Sequence, residues 1–191
     1  MKIAVVQASS QISKNSLLFQ YTKKYAKDSE VINFGCFQDD AKKYSYLEIA
    51  LLIGMLIDDN IVDFVVTGCS SGQGMMLACN SLPGVLCGYA PTPKDAYLFA
   101  QINNGNAISF PLGEEYTYTG DSNLKKTIKA LFSKPFGKGY PESEASRKIS
   151  DANKLKEMKA KSQISFQAFL SKLDPKMIMK IKSKIKEVIR Q

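Results

Sequence analysis

The chain has 191 residues, of which 45% are hydrophobic and 23% are charged, with a formal net charge of +8 and no histidine. These proportions are typical of a folded globular protein, and they exclude a disordered chain, collagen and a disulfide-stapled miniprotein. Without histidine the chain cannot supply a Ser-His-Asp relay, a Cys-His pair or a histidine-bound zinc. Proton transfer must therefore use carboxylate, thiolate, tyrosine, lysine or bound water.

Short apolar runs alternate with helical periods along the first 136 residues. The runs predict five strands, at residues 2–7, 30–34, 62–67, 85–88 and 107–110. The periods predict helices at residues 16–26, 46–58, 74–81, 93–103 and 123–132. Strands joined by crossover helices predict an α/β protein with a three-layer α/β/α, Rossmann-like fold around a five-stranded parallel sheet. Ligands of such folds bind beyond the carboxyl ends of the strands.

The pattern changes after residue 136. Residues 136–141 form a turn-rich linker, and Asp174 and Pro175 are typical of the N-cap and first position of a last helix. We therefore predict an α/β domain over residues 1–136, then a linker and a basic helical extension over residues 137–191. The lysines of residues 176–186 alternate with apolar residues, and no aromatic residue lies among them. This favours an amphipathic helix that packs on the domain or on another subunit over a nucleic-acid-binding tail.

Neither a targeting segment nor a membrane span is evident. The first residues run into a strand without a hydrophobic signal core, and the longest apolar stretch, residues 49–57, is too short to cross a bilayer. We expect a cytoplasmic protein that makes no membrane contact. The four cysteines form neither a CxxC motif nor a paired framework, so we expect reduced thiols and no metal site.

The most informative segment is residues 67–75, TGCSSGQGM, which leaves the predicted third strand and enters a helix. Glycines and small residues allow successive backbone N–H groups to point into one concavity, which suits an anion or a developing oxyanion. Cys69 lies at the mouth of this concavity, where the thiolate form needed by a base or nucleophile is favoured. The alternative interpretation is a buried structural cysteine beside a tight turn.

Several motifs, in the same order, resemble those of the ribose-5-phosphate isomerase B and galactose-6-phosphate isomerase family. They are residues 1–4, Gly35, Tyr46, the segment 69–74, Ala78, Asn80 and residues 103–107. The resemblance covers about residues 1–148, and ordered motifs of this kind are specific. It implies a parallel five-stranded sheet and a homodimer, or a tetramer, with active sites at the subunit interface.

The family isomerises phosphorylated aldoses and ketoses without a metal or an organic cofactor, and the resemblance implies the same for this chain. Cys69 would take a proton from the carbon beside the carbonyl, and the Ser71 hydroxyl would hydrogen-bond at the reacting end. The backbone N–H groups of Gly72, Gln73 and Gly74 would stabilise the oxyanion. The substrate-binding residues that the resemblance implies are Tyr46, Ser70, Gly72, Gln73, Gly74 and Asn103.

Departures from the family pattern bear on the substrate. Ala8 and Ser9 stand where the family has an Asp-His pair, and Ile102 stands where it has a ring-opening histidine. Ser9 and Ser10 follow the first strand and are predicted to contact substrate, with helix capping as the alternative for Ser10. Arg147 is a candidate for binding an anionic group of the substrate. The alternative is that it is a solvated surface residue. A sugar that is acyclic, or opens spontaneously, would need no ring-opening histidine.

These observations together predict an aldose–ketose isomerase of a phosphorylated sugar, similar to ribose 5-phosphate or galactose 6-phosphate. The reaction would pass through a cis-enediolate, with Cys69 as the base. The alternative is a non-catalytic sugar-phosphate-binding or partner subunit with the same fold. Nucleic-acid binding through residues 151–191 is the least favoured hypothesis.

Overall fold

The computed structural model describes residues 1–114 and 120–190. The strands of its single described sheet are β1 Lys2–Val6, β2 Glu30–Gly35, β3 Phe64–Cys69, β4 Cys87–Tyr89 and β5 Ala107–Pro111. They pair in parallel, in the order β2-β1-β3-β5-β4. With helices on both faces, this sheet confirms the predicted three-layer α/β/α fold.

Helices cover the sheet and extend beyond it. Those of the described residues are α1 Asn15–Tyr25, α2 Tyr46–Asp58, α3 Gln73–Asn80, α4 Pro93–Leu98, α5 Asp121–Leu131, α6 Ala145–Ser162, α7 Phe166–Leu170 and α8 Pro175–Ile189. Short 3₁₀ turns occupy Ser9–Lys14 and Glu142–Glu144, and a π-helical turn occupies Phe99–Asn103. Among these helices, none is long and apolar enough to cross a lipid bilayer.

The helix predicted over residues 93–103 is α-helical only as far as Leu98, and the π-helical turn completes it. Two carbonyls of that turn accept backbone hydrogen bonds of 2.9 Å from the linker, Ala100 from Gly137 and Gln101 from Gly139. The linker therefore runs against the turn that carries Asn103. Helical period alone does not reveal this contact, because its two halves are far apart in sequence.

Side chains of β1 alternate between two apolar layers. Ala4 and Val6 contribute to the layer of α2, α3, α7 and α8, whereas Ile3 and Val5 contribute to the layer of α1, α4 and α5. Helix α2 is buried continuously over residues 49–56, because the sheet covers one side and the helical extension covers the other. This double coverage explains why its sequence lacks a polar face.

The helical extension packs on the α/β domain. Phe166 and Leu170 of α7 and Ile181 and Ile185 of α8 are buried in the same apolar cluster as α2. This agrees with one of the two packing arrangements expected for the basic tail. Helices α7 and α8 thus complete the apolar core of the preceding residues. The domain boundary at residue 136 stays a prediction.

Gly54 of α2 tests this packing. A Cβ added there would lie 2.6 Å from the ring of Phe166 and 3.0 Å from Leu82. Alanine normally stabilises a helix interior relative to glycine, but here we expect Gly54→Ala to lower the free energy of unfolding by about 1–3 kcal/mol through overpacking. Urea denaturation measures this change in the free energy of unfolding. The loss should shrink in a Phe166→Leu background. A gain in stability from Gly54→Ala would contradict the packing.

Candidate active site

A pocket of about 430 Å³ opens where the carboxyl ends of β1 and β3 lie side by side. It is lined by Ala8, Ser10, Tyr44, Ser45, Tyr46, Cys69, Ser70, Ser71 and Gly74. The structure therefore brings together six predicted site residues: Ser10, Tyr46, Cys69, Ser70, Ser71 and Gly74. Their position at the carboxyl edge of neighbouring parallel strands is where α/β sheets bind ligands.

The β3–α3 turn is shaped by its contact with β5. The carbonyl of Cys69 accepts a 3.0 Å hydrogen bond from Leu112 N, and the carbonyl of Ser70 accepts bonds of 3.1 Å from Leu112 N and 2.9 Å from Gly113 N. In a trans peptide the N–H points opposite to the C=O. The N–H groups of Ser70 and Ser71 therefore point away from the β5 loop. These two donors add to the N–H groups of residues 72–74, to which the family resemblance assigns the oxyanion.

Glycine is required at two positions of this turn. A Cβ on Gly68 would lie 2.5 Å from the Phe110 carbonyl oxygen. Gly72, the N-cap of α3, has a φ of +74° in the left-handed region, and a Cβ there would lie 2.7 Å from the Phe110 carbonyl carbon. The Gly72 carbonyl accepts a 2.7 Å hydrogen bond from the buried hydroxyl of Ser109. The turn is thus held by the neighbouring strand on both sides of Cys69.

Cys69 is the partly exposed thiol of the four, since Cys36, Cys79 and Cys87 are buried. A Cβ added to Gly74 would lie 3.9 Å from its sulfur and 3.6 Å from the ring of Tyr46. The thiol and this aromatic ring therefore both lie over the first turn of α3. This geometry favours the functional interpretation of Cys69 over a buried structural cysteine.

Hydrogen bonds fix the hydroxyls around the thiol. The Ser70 hydroxyl accepts a 2.8 Å bond from Gln11 Nε2, and the Ser71 hydroxyl accepts a 3.3 Å bond from Gln73 N. Gln73 itself is absent from the pocket lining, as is Gly72. Gln11 is therefore a support for Ser70, on the 3₁₀ turn that follows β1.

Ser9, predicted to contact substrate, follows β1 as expected but is not among the residues that line the pocket. Its hydroxyl accepts a 2.8 Å hydrogen bond from Tyr44 N, and its own N–H donates a 3.1 Å bond to Tyr44 O. Ser9 thus joins the loop after β1 to the loop after β2, behind the pocket lining. Tyr44, which is not among the predicted site residues, also lines the pocket, and burial raises the pKa of its phenol to about 12. Nothing in the local pattern distinguishes it from a core tyrosine.

Asn103 and Arg147 lie outside the pocket of Cys69. Asn103 lines a separate cavity of about 460 Å³ beside β4. Arg147 is exposed and pairs with Glu144 at 2.7 Å and Asp151 at 3.0 Å. Its hydrogen bond and charge interaction with Glu144, and then Asp151, raise the pKa of the guanidinium. The single chain therefore does not bring these two predicted residues to the thiol.

Asn80, part of the motif after the glycine-rich turn, is engaged in the fold. Its side chain donates a 2.8 Å hydrogen bond to Cys87 O and accepts a 2.9 Å bond from Cys87 N. It fixes the end of α3 against β4. Within residues 1–114 and 120–190, no group of three or more cysteine and acidic side chains is placed to hold a metal ion.

The parallel sheet, the thiol and the glycine-rich turn define an α/β protein with a pocket at its strand ends, where proteins of this class bind small ligands. The chain belongs to the Ribose/Galactose Isomerase family, whose model matches residues 3–150. The protein is accordingly a sugar isomerase. None of the curated proteins compared with the chain matches it.

Two solved structures are similar over nearly the whole chain. A 4-deoxy-L-threo-5-hexosulose-uronate ketol-isomerase, complexed with a tartrate, is 36% identical over 96% of this chain and 87% of its own, with a TM-score of 0.89. A ribose-5-phosphate isomerase from Vibrio parahaemolyticus is 32% identical over 98% of this chain and 91% of its own, with a TM-score of 0.90. The type B ribose 5-phosphate isomerase of Trypanosoma cruzi is 21% identical over 84% of this chain and 99% of its own. Its TM-score of 0.68 shows a shared fold.

Gly72→Ala tests the turn against a matched control. Gly84 has the same φ of +74° but nothing within 4 Å of an added Cβ. Both substitutions carry the left-handed cost of about 1–2 kcal/mol. Gly72→Ala alone adds a clash with backbone, so we expect it to lower the free energy of unfolding by a further ~1–3 kcal/mol. Chemical denaturation of the two variants measures the difference, and equal losses would contradict the close approach of the turn to β5.

Proposed function

We propose that this isomerase interconverts an aldose and a ketose through a cis-enediolate, with Cys69 as the base. The observation that carries the proposal is a partly exposed thiol in a pocket lined by hydroxyls, at the start of a glycine-rich turn. The Cys69 thiolate takes a proton from the carbon beside the carbonyl, and the resulting thiol returns it to the neighbouring carbon. A second proton passes from the hydroxyl oxygen of that carbon to the former carbonyl oxygen, so two protons change place and no redox partner is needed.

The oxyanion of the enediolate would be held by the turn. The first N–H groups of a helix have no partner in its own hydrogen-bond ladder, and those of Gly72, Gln73 and Gly74 occupy this place in α3. Of these three residues Gly74 lines the pocket, and Gln73 N donates to the Ser71 hydroxyl at 3.3 Å. The N–H groups of Ser70 and Ser71 add two donors that point away from β5. The Ser71 hydroxyl lies at the reacting end. Backbone donors of this kind stabilise a developing negative charge without rearrangement.

The substrate we propose is an acidic sugar that enters in open-chain form. Opening a sugar ring needs a positioned acid and base, and this chain has no histidine; Ile102 and Ser9 stand at the two positions where the family pattern has imidazoles. The first candidate is a phosphorylated sugar of the ribose 5-phosphate or galactose 6-phosphate type. Similarity to a ribose-5-phosphate isomerase supports it.

A sugar acid is the second candidate, for two reasons. The first is the 36% identity to a uronate ketol-isomerase. The second is that, among the described residues, those of one chain that line the pocket include neither lysine nor arginine. A carboxylate carries less charge than a phosphate dianion, so it needs fewer cationic partners beside the hydroxyls and backbone N–H groups of the pocket.

We also propose a homodimer, or a tetramer, in which a second copy completes the site. Asn103 of the partner subunit would then contact the substrate, and Arg147 of the partner subunit would bind its anionic group. The separation of both residues from Cys69 within one chain supports this arrangement. So do the exposed apolar side chains beside the pocket, Tyr46, Leu47 and Leu77.

Cys69→Ala tests the mechanism. We expect turnover to fall roughly a thousandfold, within the range that one acid or base contributes, while Cys87→Ala, the same change at a buried thiol outside the pocket, retains activity. Turnover is measured on ribose 5-phosphate, galactose 6-phosphate and 4-deoxy-L-threo-5-hexosulose uronate. A Cys69→Ala enzyme with full turnover would exclude the thiol base. Binding of these sugars without turnover by the wild-type chain would favour the non-catalytic alternative.

Mixing of subunits tests the shared site. Cys69→Ala and Asn103→Ala are each expected to be inactive as purified homodimers. After unfolding and refolding together in equal amounts, half of the dimers carry both chains, and each such dimer has one site with both residues intact. We expect about one quarter of wild-type activity to return. No recovery, or an active Asn103→Ala homodimer, would contradict a site built from two subunits.

A further inference from the structure

Helix α8 carries a buried lysine. The side chain of Lys184 is 3% exposed, and Lys184 is the one charged residue among the buried residues of the described chain. Burying an ammonium group without a partner is strongly unfavourable, so such a lysine is normally paired. The proposed chemistry does not use it. Its position therefore needs another explanation.

The partners of Lys184 lie in the loop between β2 and α2, residues 36–45. Its ammonium group is 3.1 Å from Asp40 Oδ2 and lies 5.5 Å from the ring centroid of Phe37 and 4.8 Å from that of Tyr44. Asp40 also accepts a 2.8 Å hydrogen bond from Phe37 N. The buried lysine thus contacts both ends of this loop.

Lys180, one turn earlier in α8, contacts the same loop. It donates a 2.8 Å hydrogen bond to the carbonyl of Lys43 and one to the carboxylate of Glu48, and its ammonium group lies 4.6 Å from the centroid of the Tyr44 ring. Partial burial raises the pKa of Glu48, but hydrogen bonds from Lys180 and Ser45 outweigh it, so the pKa of Glu48 lies below its ordinary value. Both lysines are therefore neutralised by acidic partners.

The loop has little order of its own. Its ten residues include no helix or strand, so they lack the hydrogen-bond ladder that fixes regular structure. Contacts from other segments hold the loop, from Gln7 and Ser9 on one side and from the two lysines on the other. This loop nevertheless supplies Tyr44 and Ser45 to the pocket and leads directly into Tyr46.

We propose that Lys180 and Lys184 are positioning residues, which hold the loop of residues 36–45 as a wall of the Cys69 pocket. Because Asp40 and Glu48 neutralise them, they act by fixing Tyr44 in place, and not by attracting the substrate's charge. The basic tail helix is then part of the catalytic unit. The proposal rests on the proposed function for its kinetic consequence, but not for its structural one.

Lys184→Met and Lys182→Met form a matched pair, because both remove one charge from α8 and Lys182 is exposed. Two measurements need no substrate. Amide hydrogen exchange followed by mass spectrometry reports the order of residues 36–45, and the rate of Cys69 alkylation by iodoacetamide reports access to the pocket. We expect Lys184→Met to speed exchange in this loop selectively and to raise the alkylation rate. Lys182→Met should match the wild type.

Kinetics supply the third measurement. Displacement of a pocket wall can cost up to about a hundredfold in turnover, so we expect Lys184→Met to lower kcat/KM on the turned-over sugar by tenfold to a hundredfold, and Lys184→Arg to recover part of it. If Lys184→Met does not fold, the same measurements are made on Lys180→Met, because the Lys180 side chain is only partly buried.

Unchanged exchange and alkylation in Lys184→Met would overturn the proposal. So would faster exchange with unchanged kcat/KM, because the wall would then not position substrate. If the wild-type protein turns over none of the sugars, the proposed function fails on its own. The exchange and alkylation rates still decide in that case whether the two lysines hold the wall.

Discussion

The backbone of the β3–α3 turn lies directly against the backbone of β5, and the candidate site depends on this contact. Gly68 and Gly72 leave no room for a side chain beside Phe110. Because of this close approach, N–H groups of the loop after β5 donate hydrogen bonds to the carbonyls of Cys69 and Ser70. The N–H groups of Ser70 and Ser71 therefore point the other way. The position of the Cys69 thiol and the direction of the Ser70 and Ser71 N–H groups thus depend on one close packing of two parallel strands.

A chain without histidine limits this site to a narrow chemistry. Moving one proton between adjacent carbons needs a single base that is regenerated, and the base that we propose, the Cys69 thiol, is a group of that kind. Ring opening is a separate step with its own acid and base. Ser9, at one of the positions where an imidazole is expected, instead binds the backbone of Tyr44. Ser9 therefore has a structural contact at this position, and the open-chain substrate that we propose needs no imidazole there.

The helical extension is integrated into the domain at two levels. Apolar residues of α7 and α8 close the core over α2, and the lysines of α8 contact the loop that forms one side of the pocket. Much of the positive charge that distinguishes the tail in the sequence is solvated, as at Lys182 and Lys186. Lys180 and Lys184 have internal partners, so net charge alone is a poor guide to what this helix does.

Local signals in the sequence determined the order of strands and helices, the start of α2 at Tyr46 and the turn that carries Cys69, because periodicity and glycine spacing depend on near neighbours. Contacts between distant segments were decided only by the tertiary structure. The strand predicted to end at Thr67 continues to Cys69, because pairing with β5 overrides the glycine between them. Tyr44 is held at the pocket by Ser9, which lies 35 residues away in sequence, and by α8, near the far end of the chain.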